Sequence, residues 1–146
     1  MGYIIFAWIL GTSTAEIGIK ENYGKLENQR IIEYHSATVE KNTSDEIPWC
    51  SSFACWVIEE LKMVSPRSAV ARSWLEWGYE LKEPVPGCIV VLASGNSSWQ
   101  AHVGFFVKDN DDFIWVLGGN QKDKVSVEKF SKKKLLAYRS PINIEG

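Results

Sequence analysis

At 146 residues and 45% hydrophobic, with seven tryptophans and six phenylalanines, the chain carries enough apolar material for one domain with its own core. A formal charge of −2 supplies no basic field, which argues against nucleic acid as a partner. Three cysteines cannot all pair within one chain and none stands at metal-ligand spacing, so neither a disulfide framework nor a metal site is expected.

The first stretch, MGYIIFAWILGTSTAE, is apolar but has no basic residues ahead of it. It is also shorter than the roughly 20 residues a bilayer requires. It reads as a first core-facing segment or helix over 4–19, with no Sec export signal and no stable membrane insertion. Gly2 is not followed by the Ser or Thr that myristoylation uses. NQRIIEYHSA predicts a short helix capped by Asn28, with Ile31 and Ile32 turned inward. The polar string KNTSDE then leads to Pro48, a residue suited to the first turn of a helix.

From Cys50 the apolar residues Cys50, Phe53, Ala54, Val57, Ile58 and Leu61 fall on one helical face. Cys50 lies in the first turn of that helix, whereas Cys55 and Trp56 stand off the stripe. SAVARSWLEWG predicts a second helix, capped by Ser68 and stopped at Gly78. After EPVPG the pattern changes to short β-branched and aromatic runs at 88–92, 102–107, 113–117, 125–130 and 135–139. Residues 109–112 and Gly118-Gly119-Asn120 read as turns between them, and Lys132-Lys133-Lys134 as a solvated turn. The expected fold class is α+β, with N-terminal helices packed on a C-terminal antiparallel sheet of about five strands.

A thiol becomes a strong nucleophile when a helix N-terminus and a nearby imidazolium lower its pKa. Cys50 has the first condition by position. His102, opening a strand, supplies the second if that strand crosses the helix start, while His35 has no evident acid or base beside it. Asn120 is the candidate to hold the imidazole in one tautomer, with Gln121 as its alternate. The loop 93–101 is a candidate cleft wall, and Trp99 and Trp49 are candidate platforms for a sugar or peptide, or else core plugs. Arg72 and Trp74 either bind a carboxylate or pack, and Cys88 and Cys55 read as core.

The strings PWCSSF, ARSWLEWG, EPVPGCIVVL, AHVGFFV, VLGGNQ and AYRSP, in that order, resemble the CHAP/NlpC superfamily of cysteine peptidases and amidases. The resemblance runs over roughly 4–141 and is strongest to a compact branch found in phage endolysins and bacterial cell-wall effectors. It implies a single papain-like catalytic domain over 1–146, with no separate wall-binding domain and no cofactor. It also implies hydrolysis of an amide in peptidoglycan, either N-acetylmuramoyl–L-alanine or a stem-peptide bond, with Cys50, His102 and Asn120 as the catalytic set. The backbone N–H of Cys50, with that of Ser51, then holds the oxyanion, and Trp49, Trp99, Ser51 and Gln121 are substrate-side candidates.

Two positions depart from the pattern. Gly118 stands where many relatives carry Glu, and Ala101 stands where many carry Gly before the histidine. Peptidoglycan is the implied partner, joined by an immunity protein if the chain is an effector. Such a chain is made in the cytoplasm and acts on the wall after release or delivery. Another Cys–His acyl-transfer enzyme, such as a deamidase, and a non-catalytic wall-binding module are the competing readings.

Overall fold

The computed structural model describes residues 3–22, 28–40, 48–95 and 100–145. The KNTSDE connection, Gly2, and the segment 96–99 with Trp99 lie outside the described residues. Three helices, α1 (Ile4–Thr14), α2 (Gln29–His35) and α3 (Cys50–Glu60), precede a six-stranded sheet. Its strands are β1 (Tyr79–Leu81), β2 (Ile89–Ala93), β3 (Ala101–Asp109), β4 (Phe113–Gln121), β5 (Lys124–Ser131) and β6 (Leu135–Ser140). They lie in the order β1-β6-β2-β3-β4-β5, with every neighbouring pair antiparallel. The α+β class and the helices-then-sheet order agree with the sequence expectation.

α1 is apolar all round, but buries only Phe6, Ile9 and Ser13, leaving Ile4 and Trp8 exposed. No helix among the described residues is long and apolar enough to cross a membrane. α2 starts where Asn28 accepts a hydrogen bond from the Arg30 N–H at 2.9 Å, the expected cap. Glu16, just past α1, receives the Tyr34 hydroxyl at 2.7 Å and the Arg30 guanidinium at 2.9 Å, and so ties α2 to α1.

α3 is buried on every side from Ser51 to Ile58, more than the single stripe expected from its spacing. Its two serines are satisfied internally, which offsets the cost of placing hydroxyls in a core. Ser51 Oγ donates to Ser68 O at 2.6 Å and accepts from Trp74 Nε1 at 2.9 Å. Ser52 Oγ lies 2.8 Å from His35 Nδ1.

Three expectations need correction. The helix expected over 68–78 is a 3₁₀ turn, Ala71–Glu76, whose three-residue spacing of Ala71 and Trp74 matches the residues it buries. The sheet has six strands because Tyr79–Leu81 pairs with β6, a run too short to carry an alternating pattern. Gly118-Gly119-Asn120 is not the turn but part of β4. The register there advances three residues on β4 against two on β5, from Gly118↔Ser126 to Gln121↔Lys124, leaving a bulge. The turn itself is Lys122-Asp123, both at positive φ (56° and 64°), the geometry of a two-residue hairpin that the sequence does not advertise with Asn-Gly.

Candidate active site

The start of α3 is fixed from behind. Trp49 precedes Cys50, is fully buried, and donates its Nε1–H to Glu21 Oε1 at 3.0 Å while stacking on Tyr34. Trp49 therefore serves as an anchor for the helix start, and its ring has no solvent face to offer a ligand. Gly119 in β4 lets this packing happen: a Cβ there would stand 2.8 Å from the Trp49 ring and from Phe53 Cβ. Ser51 likewise points its hydroxyl into the core, so its contribution to the site is its backbone N–H.

Cys50 opens α3, and β3 brings His102 to it. Burial pushes the Cys50 thiol up. The opposing effects are larger in sum: the His102 charge, a hydrogen bond with His102, and the backbone N–H groups of Val103 and Ser51 together hold it below the ordinary thiol value. Burial likewise depresses His102, but the Cys50 charge and hydrogen bond, with a hydrogen bond to Gln121, raise it above the ordinary imidazole value. The two shifts are one fact seen from both partners, a thiolate and an imidazolium stabilising each other.

The residue hydrogen-bonded to the imidazole is Gln121. Its Oε1 lies 2.9 Å from His102 Nε2. Its Nε2 donates to Val116 O at 3.1 Å and Ser126 O at 2.8 Å, which fixes the amide orientation. The Oε1 must then be the acceptor, so His102 Nε2 carries a proton and Nδ1 is left for Cys50. Asn120, the expected orienting residue, makes no contact of this kind: the bulge holds it at φ +56°, beside the imidazole but not bonded to it.

Gly118 explains the exchange. A Cβ at this position would come within 2.5 Å of Gln121 Oε1 and 3.5 Å of His102 Nε2. A side chain at 118 and the Gln121 amide thus compete for one space beside the imidazole. With glycine at 118 no side chain enters that space, and Gln121 fills it.

Phe130 on β5 stacks on the His102 ring, with centroids 5.3 Å apart and planes 28° from parallel, a contact between segments far apart in the chain. Cys50, His102, Asn120, Ser94, Gln100 and Ala71 help line a cleft of about 490 Å³. Trp74 is buried and bound to Ser51, and packs edge-on to Trp77. Cys55 and Cys88 are buried in the core, and burial raises both thiols, Cys88 to about 12. Among the described residues no group of three or more His, Cys, Asp or Glu gathers that could hold a metal ion.

The geometry can be set against known proteins. A family model described as the CHAP domain matches residues 42–120. A solved protein from Staphylococcus aureus subsp. aureus Mu50, described as similar to a lipoprotein of the NLP/P60 family, superposes with a TM-score of 0.52 at 15% sequence identity. The superposition covers 92% of this chain but 40% of that one. It shows a shared fold. No curated protein matches the chain.

Proposed function

The chain belongs to the CHAP domain family, one of the cell-wall hydrolase type, and from that footing we propose that it hydrolyses an amide bond of peptidoglycan through a Cys50 thioester. The bond is N-acetylmuramoyl–L-alanine or one within the stem peptide. The setting we propose is wall degradation by a phage endolysin or a delivered antibacterial effector. The observation that carries the reading is the pairing of Cys50 and His102 at the wall of a cleft, with Gln121 hydrogen-bonded to the imidazole.

The Cys50 thiolate attacks the amide carbonyl carbon, and the oxyanion forms beside the Cys50 N–H at the start of α3, where helical N–H groups lack partners. His102 then protonates the amine nitrogen as the C–N bond breaks, leaving the acyl group on sulfur. Neutral His102 next takes a proton from water, whose oxygen attacks the thioester carbon. The acid is released, and thiolate and imidazolium are restored. Gln121 accepts from His102 Nε2–H throughout, so Nδ1 stays aimed at the reacting atoms.

The test is loss of turbidity of purified cell walls, compared between the natural chain and Cys50→Ala. The natural chain is expected to clear walls and the variant to leave them intact. Equal clearing by both would remove Cys50 from the mechanism. Wall binding by both without clearing would leave a binding module. Mass spectrometry of the released muropeptides identifies the bond.

A further inference from the structure

His102 faces a second cleft. This cavity of about 360 Å³ shares Ser94, His102 and Asn120 with the first but does not include Cys50. The thiol is thus open to one cleft and the imidazole to both. That asymmetry orders the substrate, because the acyl half stays on sulfur while the amine half departs beside the imidazole that protonates it.

The second cleft has an apolar floor, Leu92 and Phe130, and a basic rim. Lys122, Lys129 and Lys134 line it against Glu128 alone. Glu128 is already taken by Lys122 at 3.1 Å, and Lys129 sits over the Phe113 ring at 4.4 Å. Among the described residues Lys134 has no hydrogen bond, ion pair or ring contact. The turn that carries it is held in place: Lys132 binds Asp109 at 2.8 Å and Asn110 O at 2.7 Å, and Ser131 caps the Lys133 N–H. At the seam between the clefts stands Asn120, in a left-handed backbone conformation that costs a non-glycine residue free energy. Its amide has no hydrogen-bond partner among the described residues.

We infer that the second cleft seats the amine half of the substrate, that Asn120 hydrogen-bonds the peptide as it crosses the seam, and that Lys134, backed by Lys129, recognises a carboxylate on that half. This rests on the hydrolase reading. In a muramoyl peptide the amine half carries the peptide's C-terminal carboxylate whichever of the two bond types is cut.

The experiment uses two synthetic N-acetylmuramoyl pentapeptides, one with a free C-terminal carboxylate and one with a C-terminal carboxamide. With the natural chain at low salt, amidation is expected to raise KM about fivefold, an exposed charge pair's effect, and the difference should shrink as salt is added. In Lys129→Gln/Lys134→Gln the two substrates should have equal KM. A natural chain indifferent to amidation, or a preference that survives in the double variant, overturns the inference.

A second measurement separates the cleft from the chemistry. Cys50→Ala, with and without Lys129→Gln/Lys134→Gln, is titrated by NMR with the free pentapeptide in acid and carboxamide forms. If no muropeptide is cut but the acid form binds preferentially and only with the lysines present, the hydrolase reading fails and the cleft stands. Equal binding of both forms refutes the cleft even where hydrolysis is observed.

Discussion

Cys50 is pulled in two directions. Burial disfavours its thiolate, while the charge of His102 and the N–H groups of Val103 and Ser51 favour it, and the second set prevails. The consequence for pH has a definite sign. The lowered Cys50 pKa extends the thiolate to lower pH and the raised His102 pKa extends the imidazolium to higher pH, so both shifts widen the range in which the ion pair forms. Activity on defined muropeptides should rise as Cys50 deprotonates, then fall as His102 loses its proton, giving a bell. A rate that stays flat from about pH 5 to 9 would contradict a Cys–His mechanism. The same pair makes Cys50 selectively reactive. Iodoacetamide at about pH 6.5, below the ordinary thiol range, should label one site by mass spectrometry, with Cys55 and Cys88 protected by burial. Labelling of Cys55 or Cys88 ahead of Cys50 would show that the thiolate is not stabilised. Gln121 and Asn120 separate by the same logic. Gln121→Ala frees the imidazole and should lower kcat about tenfold to a hundredfold, with the descending limb of the pH profile moved to lower pH. Asn120→Ala should leave that limb in place and raise KM, because Asn120 does not touch His102 Nε2.

The elements matter through one junction, where the start of α3 rests on the bulged end of β4. Trp49, Phe53 and Gly119 meet there in ring-on-backbone contact, and the neighbours are rigid. Gly119→Ala should therefore cost about 1–3 kcal/mol of stability as an overpacking change, read as a lowered Tm. Trp49→Ala should cost about 3–5 kcal/mol through lost burial and cavity formation, and it also removes the indole N–H that donates to the Glu21 carboxylate. If either variant keeps the Tm of the natural chain, the junction does not hold α3 against the sheet. The bulge is what brings this junction to the imidazole. It puts Asn120 and Gln121 one residue out of step with β5, so Gln121 turns back under the imidazole while Asn120 faces the clefts.

For the molecule as a whole, sheet order decides where rigidity lies. β2 and β3 are central, and residues Ile89–Leu92 are buried on both faces, with α3 packed against β3 and β4. The edges are β1, three residues long, and β5, whose outward Lys124, Val127 and Lys129 are exposed. Short or lysine-bearing edges resist pairing with another sheet. Amide hydrogen exchange should be slowest in α3, β2 and β3, and fastest in β1 and the first turn of α1. Exchange as slow in β1 as in β2 would mean that the edge is covered in solution. The site thus stands on β3, β4 and the most buried helix. That suits a thiolate–imidazolium pair, which works only when its two partners are held in register.

Much of this was legible in the chain itself, because the signals were local and periodic. The 3–4 spacing from Cys50, the Asn28 cap and the β-branched runs each report a preference of the backbone nearby. They placed α2, α3 and five of the strands, and with the resemblance they singled out Cys50 and His102. What the sequence could not decide depended on contacts between distant segments. A three-residue strand pairs only because β6 is there to receive it. Trp49 is an anchor and not a platform because Glu21, Tyr34 and Gly119 converge on it. The choice of Gln121 over Asn120 turns on a one-residue bulge against β5 and on the space left by Gly118, since a single register step reverses which side chain faces the histidine. Local preference therefore chose most of the elements, and the resemblance pointed to Cys50 and His102. Tertiary packing alone chose the residue bonded to His102, because that depends on the register between segments that the sequence keeps apart.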